Sequence, residues 1–548
     1  MIIVGVSDGI DAGAALVVDD EVVAVESQQT WDRVPRSRAF PWAAIDAVLA
    51  EGGLQPRDVD LIAVAGRFTP PLFLRRRPGL RRVARDAFSP ALDANVFFQA
   101  MLRQSGFGAM EADRAAEWLE GRFKERGFGH RRVVLVDIHK CLADAAYRTQ
   151  TVDPALALTL HPMGDGVAAA VQRCSAGQLD RLWEQRGFSS LHVHLQRCLN
   201  AVGLEALEDA RLWGAAGRGT PDPELVDLLR SSLRAEGPRM SRKRYPLPER
   251  RAAMAYDELA RAERTVAAAS VLENLRETVL EWVANRQADA AELLLGGQIF
   301  DNPRLVADVL ATGDVGSMSV APSCGYAGLA LGAAIGVAGM HGRVLAADLG
   351  RDFEQRIVQR VIDAAGVDSR AVDASVVAGL LAQGHIVGVF AGRGSLAAQG
   401  GGARSVLFRP DDASVAAARG RLGLTHDDEP VAAILADDAS ELIVDEARYR
   451  ECARWGRVAP RASDRLREAC PGVVAADGRV HYMRVERDSA LGDVLAAMSA
   501  ASSPGVLGMF GLASPGEPIV GQPGDAIRAW RRGACEHLWL GDLLVHAG

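Results

Sequence analysis

Ile2-Ile3-Val4-Gly5-Val6-Ser7, Ala14-Ala15-Leu16-Val17-Val18 and Val22-Val23-Ala24-Val25 are three apolar runs in the first 25 residues, separated by short turns built on Asp8-Gly9 and Asp19-Asp20-Glu21. Each run has strand length, and turns this short join antiparallel neighbours. Trp42, Ala43, Ile45, Val48 and Leu49 then fall at helical spacing. Gly52-Gly53 ends that helix, and Leu61 to Ala65 reads as a further buried strand. The opening is therefore an α/β unit. Farther on, helix over about 85–130, strand Val133 to Val136, helix His139 to Tyr147 and strand Leu156 to Leu160 repeat the alternation, which predicts a second, related lobe. Residues 217–250, rich in Arg, Pro, Gly and Glu, predict an exposed insert with a short helix, and Ala252 to Asn285 predicts one long amphipathic helix or two. The strand Glu292 to Leu295 runs into Gly296-Gly297, and Pro322 to Gly328 opens a small-residue helix through Ala334.

A β-meander followed by a helix and a strand is how nucleotide-binding halves of the actin, sugar kinase and Hsp70 type begin, with the first turn placed to meet phosphates. From Leu349 the texture changes. Helices alternate with strands at Ile386 to Phe390, Val506-Leu507 and Leu538 to Leu540, around a glycine-rich stretch at Gly392 to Gly402. The expected division is a two-lobed domain over 1–345 and a smaller α/β domain over 346–548. At 548 residues, 49% hydrophobic and 24% charged, the chain is long enough for two cores, and disordered or fibrous classes are excluded. A net charge of −8 argues against coating nucleic acid or anionic membrane. Positive charge is almost all arginine, since lysine occurs only at 124, 140 and 243, so phosphate contacts are expected from guanidinium forks or backbone N–H groups. The N-terminus has no basic leader and no spanning apolar run, and the seven cysteines form no C-x-x-C pair. Both point to a cytoplasmic protein with reduced thiols.

More specific signals are collinear along the chain. Gly516-Glu517-Pro518-Ile519-Val520, then Pro523, Asp525-Ala526 and Leu540-Gly541-Asp542-Leu543-Leu544, resemble the ending of the ATP-dependent O-carbamoyltransferases that decorate antibiotics and nodulation factors, the tobramycin and cephamycin type. Asp11-Ala12-Gly13-Ala14-Ala15 resembles that family's H-D-S-A-A turn, and Leu295-Gly296-Gly297 its A-G-G strand end. Gly325 with Gly328 and Gly332-Ala333-Ala334 resembles its P-x-x-G-D-x-G-x-x-x-G-A-A segment. Gly392-Arg393 and Arg404-Ser405-Val406-Leu407 resemble the two ends of G-R-M-E-F-G-P-R-A-L-G-N-R-S-I-L. The resemblance implies an N-terminal Kae1-like (actin/Hsp70-type) domain that transfers a carbamoyl group to a substrate hydroxyl with a divalent metal, usually iron. It also implies a C-terminal YrdC-like domain that makes carbamoyl adenylate from ATP and carbamoyl phosphate.

Departures fall where that chemistry sits. The family's H-x-x-x-H metal helix reads Asp137-Ile138-His139-Lys140-Cys141-Leu142, with Ile138 and Leu142 at the ligand positions; His161 and Tyr326 stand at the two aspartate positions. Hydrocarbon side chains have no lone pair to give, so no inherited metal site is expected. His139 and His161, with Asp165 or Cys141, remain candidates for a rearranged one. His192 and His194, two apart, read as surface or core residues. Asp11 is retained although Ile10 replaces the family histidine, making Asp11, His139 and His161 the catalytic candidates. Asp209, Arg211, Gly296, Gly297, Gly325, Arg393, Arg404 and Ser405 are the nucleotide or phosphate candidates. The R-E-x-F-R-P-F-A-P segment is represented by Asp427-Asp428-Glu429-Pro430-Val431-Ala432, and N-T-S-F-N by Met509-Phe510-Gly511-Leu512-Ala513. Two readings follow. One is a non-catalytic or supporting subunit forming a heteromer with an intact carbamoyltransferase in a biosynthetic pathway. The other is an active, diverged transferase that uses ATP on a small-molecule substrate.

Overall fold

A computed structural model describes residues 1–77, 90–186, 190–205, 208–232, 234–236, 239–241, 248–284, 292–312, 317–325, 328–424, 429–436, 439–487, 489–500 and 505–545. The chain forms two compact units, Met1–Gln28 with Arg38–Leu345 and Gln29–Ser37 with Ala346–Gly548. In the first, Ile2–Ser7 (β1), Gly13–Val18 (β2), Glu21–Ser27 (β3), Leu61–Ala65 (β4) and Arg132–Val136 (β5) form a sheet in the order β3-β2-β1-β4-β5. The β1-β2 and β2-β3 pairs are antiparallel, while β1-β4 and β4-β5 are parallel. Val4, Val6, Leu16, Ile62 and Val64 bury one face against Ile45, Val48 and Phe123.

The second lobe repeats this plan. Ala155–Gly164 (β6), Val167–Ser175 (β7) and Gln178–Arg186 (β8) form an antiparallel meander; Arg234–Glu236 (β9) and Arg239–Ser241 (β10) form a separate small hairpin. Glu292–Gly296 (β11) and Ser317–Val320 (β12) then complete the order β8-β7-β6-β11-β12, with β6-β11 and β11-β12 parallel. Two sheets of one topology are the actin-like arrangement that the opening strands predict. Helices Ile138–Tyr147 and Gly328–Ala338 follow the last strand of each sheet. They meet so closely that a side chain at Gly332 would overlap the Cys141 carbonyl oxygen.

The short helix expected within 217–250 is present. Helix Pro223–Ser232 buries Leu225, Val226 and Leu229, because its apolar positions recur at helical spacing between the charges. The long helix is two, Pro248–Arg261 and Arg264–Ala284. His192 and His194 both lie buried on helix Leu191–Ala201, and His194 Nδ1 and Nε2 reach Tyr256 Oη and Asn274 Oδ1 at 2.9 and 3.3 Å. All seven cysteines are buried thiols outside any disulfide. Among the described residues no helix is long and apolar enough to cross a membrane.

The second unit is built on Ser369–Ala371 (β13), Val387–Phe390 (β14), Arg404–Phe408 (β15), Ala432–Ala436 (β16), His481–Val485 (β17), Val506–Gly511 (β18), His537–Leu540 (β19) and Leu543–Val545 (β20). They form one mixed sheet in the order β13-β20-β19-β14-β15-β18-β16-β17. Both faces are covered. Along β15, Val406 and Phe408 join a core with Ile362, Ile527 and Leu538, whereas Leu407 points into the opposite core with Leu381, Ile434 and Leu495.

Candidate functional site

The N-terminal unit brings His139, His161 and Asp165 together at the start of helix Ile138–Tyr147. Asp137 caps this helix, its Oδ1 accepting from Lys140 N at 3.1 Å. Ile138 and Leu142, 2% and 1% exposed, occupy one helix face. A methyl group added at Gly164 would lie 2.6 Å from Ile138 Cγ2, and one at Gly296 would lie 3.2 Å from Leu142 Cβ. Packed hydrocarbon thus fills the two positions where the resemblance puts metal ligands.

His139 is fully buried, with Nε2 3.0 Å from the Val167 carbonyl oxygen and Nδ1 2.8 Å from Thr159 Oγ1. A carbonyl can only accept, so Nε2 carries the proton and Nδ1 accepts from the threonine hydroxyl. Burial pushes the His139 pKa down to about 4, which keeps this neutral tautomer. Neither nitrogen has a lone pair left for an ion. His161, its ring centroid 6.3 Å away, receives Met163 N on Nδ1 at 3.3 Å, and burial also lowers its pKa. Asp165 accepts from the backbone N–H groups of Phe68, Arg67 and Ile138 at 2.8, 3.0 and 3.0 Å, while burial and the neighbouring Asp137 raise its pKa. It fastens the turn between β6 and β7 to the loop after β4. The Cys141 thiol is buried, which raises its pKa, and it faces the Val136 carbonyl oxygen.

These residues do not fit a divalent ion. No three His, Cys, Asp or Glu side chains among the described residues are placed to share one. Tyr326 lies outside the described residues. What surrounds Asp137 instead is an ionic cluster in which Arg103 and Arg181 bridge Asp137 and Glu184. Burial raises the Asp137 pKa, but the two arginines outweigh it and hold the carboxyl at about 2. Sequence reading also missed a buried pair of Asp8 and Arg75, 3.2 Å apart, at the end of β1. The rest of the basic stretch beyond Arg77 lies outside the described residues.

The other candidates of this unit divide between the lobes. Asp11, at φ 54°, accepts from Ser27 Oγ at 3.2 Å. Asp209 accepts from Gln298 Nε2 at 3.1 Å, and Gly297 N donates to the Cys324 carbonyl at 2.8 Å, so Asp209, Gly296, Gly297 and Gly325 lie at one sheet end. Gly297 has φ 122°, and a side chain there would overlap the Leu160 carbonyl. Arg211 pairs with Glu208 at 2.9 Å.

In the C-terminal unit, Arg404 lays its guanidinium 3.8 Å from the Phe390 ring centroid and donates to the carbonyls of Ala403 and Gly392 at 2.8 Å and of Ala391 at 3.0 Å. Arg393 Nε donates to Gly350 O at 2.9 Å. Ser405 Oγ donates to Gln399 O at 2.7 Å and accepts from Gly402 N at 3.0 Å. All three organise the loop between β14 and β15. Beside that loop lies a cavity of about 400 Å³, lined by Asp348, Arg393, Arg450, Arg454, Arg484 and Glu486 among others. Arg450 and Arg454 stand one helical turn apart at the end of helix Glu446–Ala453, and Arg484 pairs with Glu446 at 2.6 Å. Burial raises the Asp348 carboxyl pKa against the opposing effects of Ser395, Arg404 and Arg393.

The sequence places R-E-x-F-R-P-F-A-P at 427–432, of which Asp427 and Asp428 lie outside the described residues. The segment at the cavity is Arg450-Glu451-Cys452-Ala453-Arg454-Trp455-Gly456-Arg457-Val458-Ala459-Pro460. It keeps the Arg-Glu pair, a following arginine and the closing Ala-Pro of that motif. Such a cavity suits an anion.

Fold and sites together define an actin-like α/β protein that carries an additional mixed-sheet unit with an arginine-lined cavity. Residues 378–547 match the family described as carbamoyltransferase C-terminus. The nodulation protein NolNO of Sinorhizobium fredii is 24% identical over 570 residues, spanning 98% of this chain and 78% of that protein. The two matches support a diverged relative of the carbamoyltransferases, with a carbamoyltransferase C-terminal domain over residues 378–547. Similar solved structures include component A of the Acidaminococcus fermentans (R)-2-hydroxyglutaryl-CoA dehydratase, at 12% identity and TM-score 0.34 over 61% of this chain and 96% of that one. HypF of T. kodakarensis is similar at 11% identity and TM-score 0.32, over 62% and 47% of the two chains.

Proposed function

We propose that this carbamoyltransferase-family chain does not itself carry out a metal-dependent transfer step, and that it acts as the supporting subunit of an intact carbamoyltransferase in a biosynthetic pathway. The observation that carries this reading is the pair Ile138 and Leu142, packed hydrocarbon at the ligand positions, beside a His139 whose two nitrogens are spent on Thr159 and Val167. Without a Lewis acid there, carbamoyl transfer to a hydroxyl lacks the charge stabilisation it needs. Co-expression with an intact family member from the same organism, pull-down, and assay of each component and the pair test it. The pair is expected to exceed the partner alone while this chain alone transfers nothing; full transfer by the isolated chain sinks the reading.

A second reading, an active transferase working through carbamoyl adenylate, is favoured by one feature, the cavity with Arg393, Arg450, Arg454 and Arg484. There the guanidinium groups would receive the phosphates of ATP, and Asp348 would face the same space. Release of pyrophosphate from ATP only when carbamoyl phosphate is present is its signature. No release, with or without iron, removes it.

A further inference from the structure

A separate cavity of about 480 Å³ lies elsewhere in the C-terminal unit. One wall is the turn Ser514-Pro515-Gly516-Glu517-Pro518-Ile519 after β18. Another is the strap Gln29–Ser37, which follows β3 in the chain yet folds with this unit. The strap is firmly held. Arg33 donates to the carbonyls of Pro518 and Ile519 at 2.5 and 2.9 Å and pairs with Glu517 and Asp525 at 3.3 and 3.6 Å; Trp31 lies 5.6 Å from the Arg351 guanidinium. Gln29 Oε1 accepts from Arg36 N at 2.9 Å. Arg33 and Arg36 have φ of 57° and 50°, a conformation seldom taken by residues with a side chain and kept only where surrounding contacts impose it.

Two polar groups at this cavity lack a partner among the described residues. Ser514 is 3% exposed and its Oγ, like the buried Arg36 Nη1, finds no hydrogen-bond partner among the described residues. Buried polar atoms are nearly always paired, and a guanidinium donor costs most when it is not. The nearby acid Glu517 is already matched by Arg33 and by Arg532 at 2.7 Å. Glu429 also lines the space, which directs a negative ligand end towards Arg36. The remaining wall is largely apolar, through Leu422, Leu424, Phe510 and Ile519.

We infer that this cavity binds a small organic anion. Its carboxylate or phosphate end is received by Arg36 and the Ser514 hydroxyl, and its compact apolar body lies against Leu422, Phe510 and Ile519. An arginine fork matches either anionic group. A bare inorganic ion would leave the apolar wall in water. The cavity shares no lining residue with the arginine-lined one, so its occupancy is independent of the proposed function.

Calorimetric titration of the full chain with phenyl phosphate, hexanoate and inorganic phosphate tests this, and the first two arms separate phosphate from carboxylate ligands. Phenyl phosphate or hexanoate is expected to bind about tenfold or more tightly than inorganic phosphate. Arg36→Gln should weaken that binding by about tenfold and Ser514→Ala by about threefold, while Arg450→Gln in the other cavity leaves it unchanged. Arg36→Lys, which keeps the charge but not the fork, should fall between and serves if Arg36→Gln lowers the melting temperature. The inference is overturned if neither organic anion binds, if inorganic phosphate binds as tightly, or if the loss follows Arg450→Gln rather than the Arg36 and Ser514 variants.

Discussion

Replacing His139 with alanine separates a structural histidine from a ligand. The substitution strands the Val167 carbonyl, whereas the Thr159 hydroxyl, released from Nδ1, turns its proton to Ala170 O at 3.3 Å, so one acceptor loses its partner at a cost of about 1–3 kcal/mol. Deleting a fully buried ring adds a cavity cost of roughly 2–3 kcal/mol. Together the variant should lose about 3–6 kcal/mol in urea unfolding. The pH dependence carries a sign. Above pH 6.5 the ring is neutral in both folded and unfolded chains. Between 6.5 and about 4 the unfolded chain takes up a proton that the folded one refuses, so stability falls as pH falls, by on the order of 3 kcal/mol in all. Below about 4 both states are protonated and the loss stops. His161, also depressed by burial, acts with the same sign, so the variant should keep a shallower slope. Unfolding free energies measured every half unit from pH 7.5 to 4 read both effects. A variant as stable as the parent, with an unchanged slope, would refute the buried neutral tautomer.

Three further outcomes are expected. Gly332→Leu forces a side chain into the Cys141 carbonyl and should cost more than about 3 kcal/mol or prevent folding, read by circular dichroism and melting temperature. Arg404→Lys removes the fork that serves Ala391, Gly392 and Ala403 and should cost about 2–4 kcal/mol, while any nucleotide binding measured by calorimetry persists in the folded variant. Arg450→Gln and Arg454→Gln should each weaken ATP binding by about tenfold in the same assay, and an unchanged affinity would exclude the arginine-lined cavity as the ATP site.

The fold was largely legible because its signals are local. Three short apolar runs with tight turns between them predict β1 to β3, and the same texture after residue 130 predicts the second lobe. The site was less so, because its decisive contacts are distant in sequence. Asp8 and Arg75 are 67 positions apart, and nothing in Ser7-Asp8-Gly9 announces a buried arginine partner. The strap Gln29–Ser37 reads as a connection after β3, yet its partners Glu517, Pro518 and Ile519 lie near the other end of the chain. In the Arg450 segment Trp455-Gly456 breaks the motif's spacing, whereas the helix still sets Arg450 and Arg454 one turn apart. Ile138 and Leu142 were the reverse case: chemistry alone said that they cannot hold metal, and packing against Gly164 and Gly296 shows what they do instead.

The most direct test is iron stoichiometry. The purified chain is incubated anaerobically with excess ferrous iron, separated from free metal by gel filtration and analysed by plasma mass spectrometry alongside an intact carbamoyltransferase treated identically. Far less than one iron per chain is expected here and close to one in the intact enzyme. Close to one iron in this chain, lost on His139→Ala or His161→Ala, would contradict that expectation.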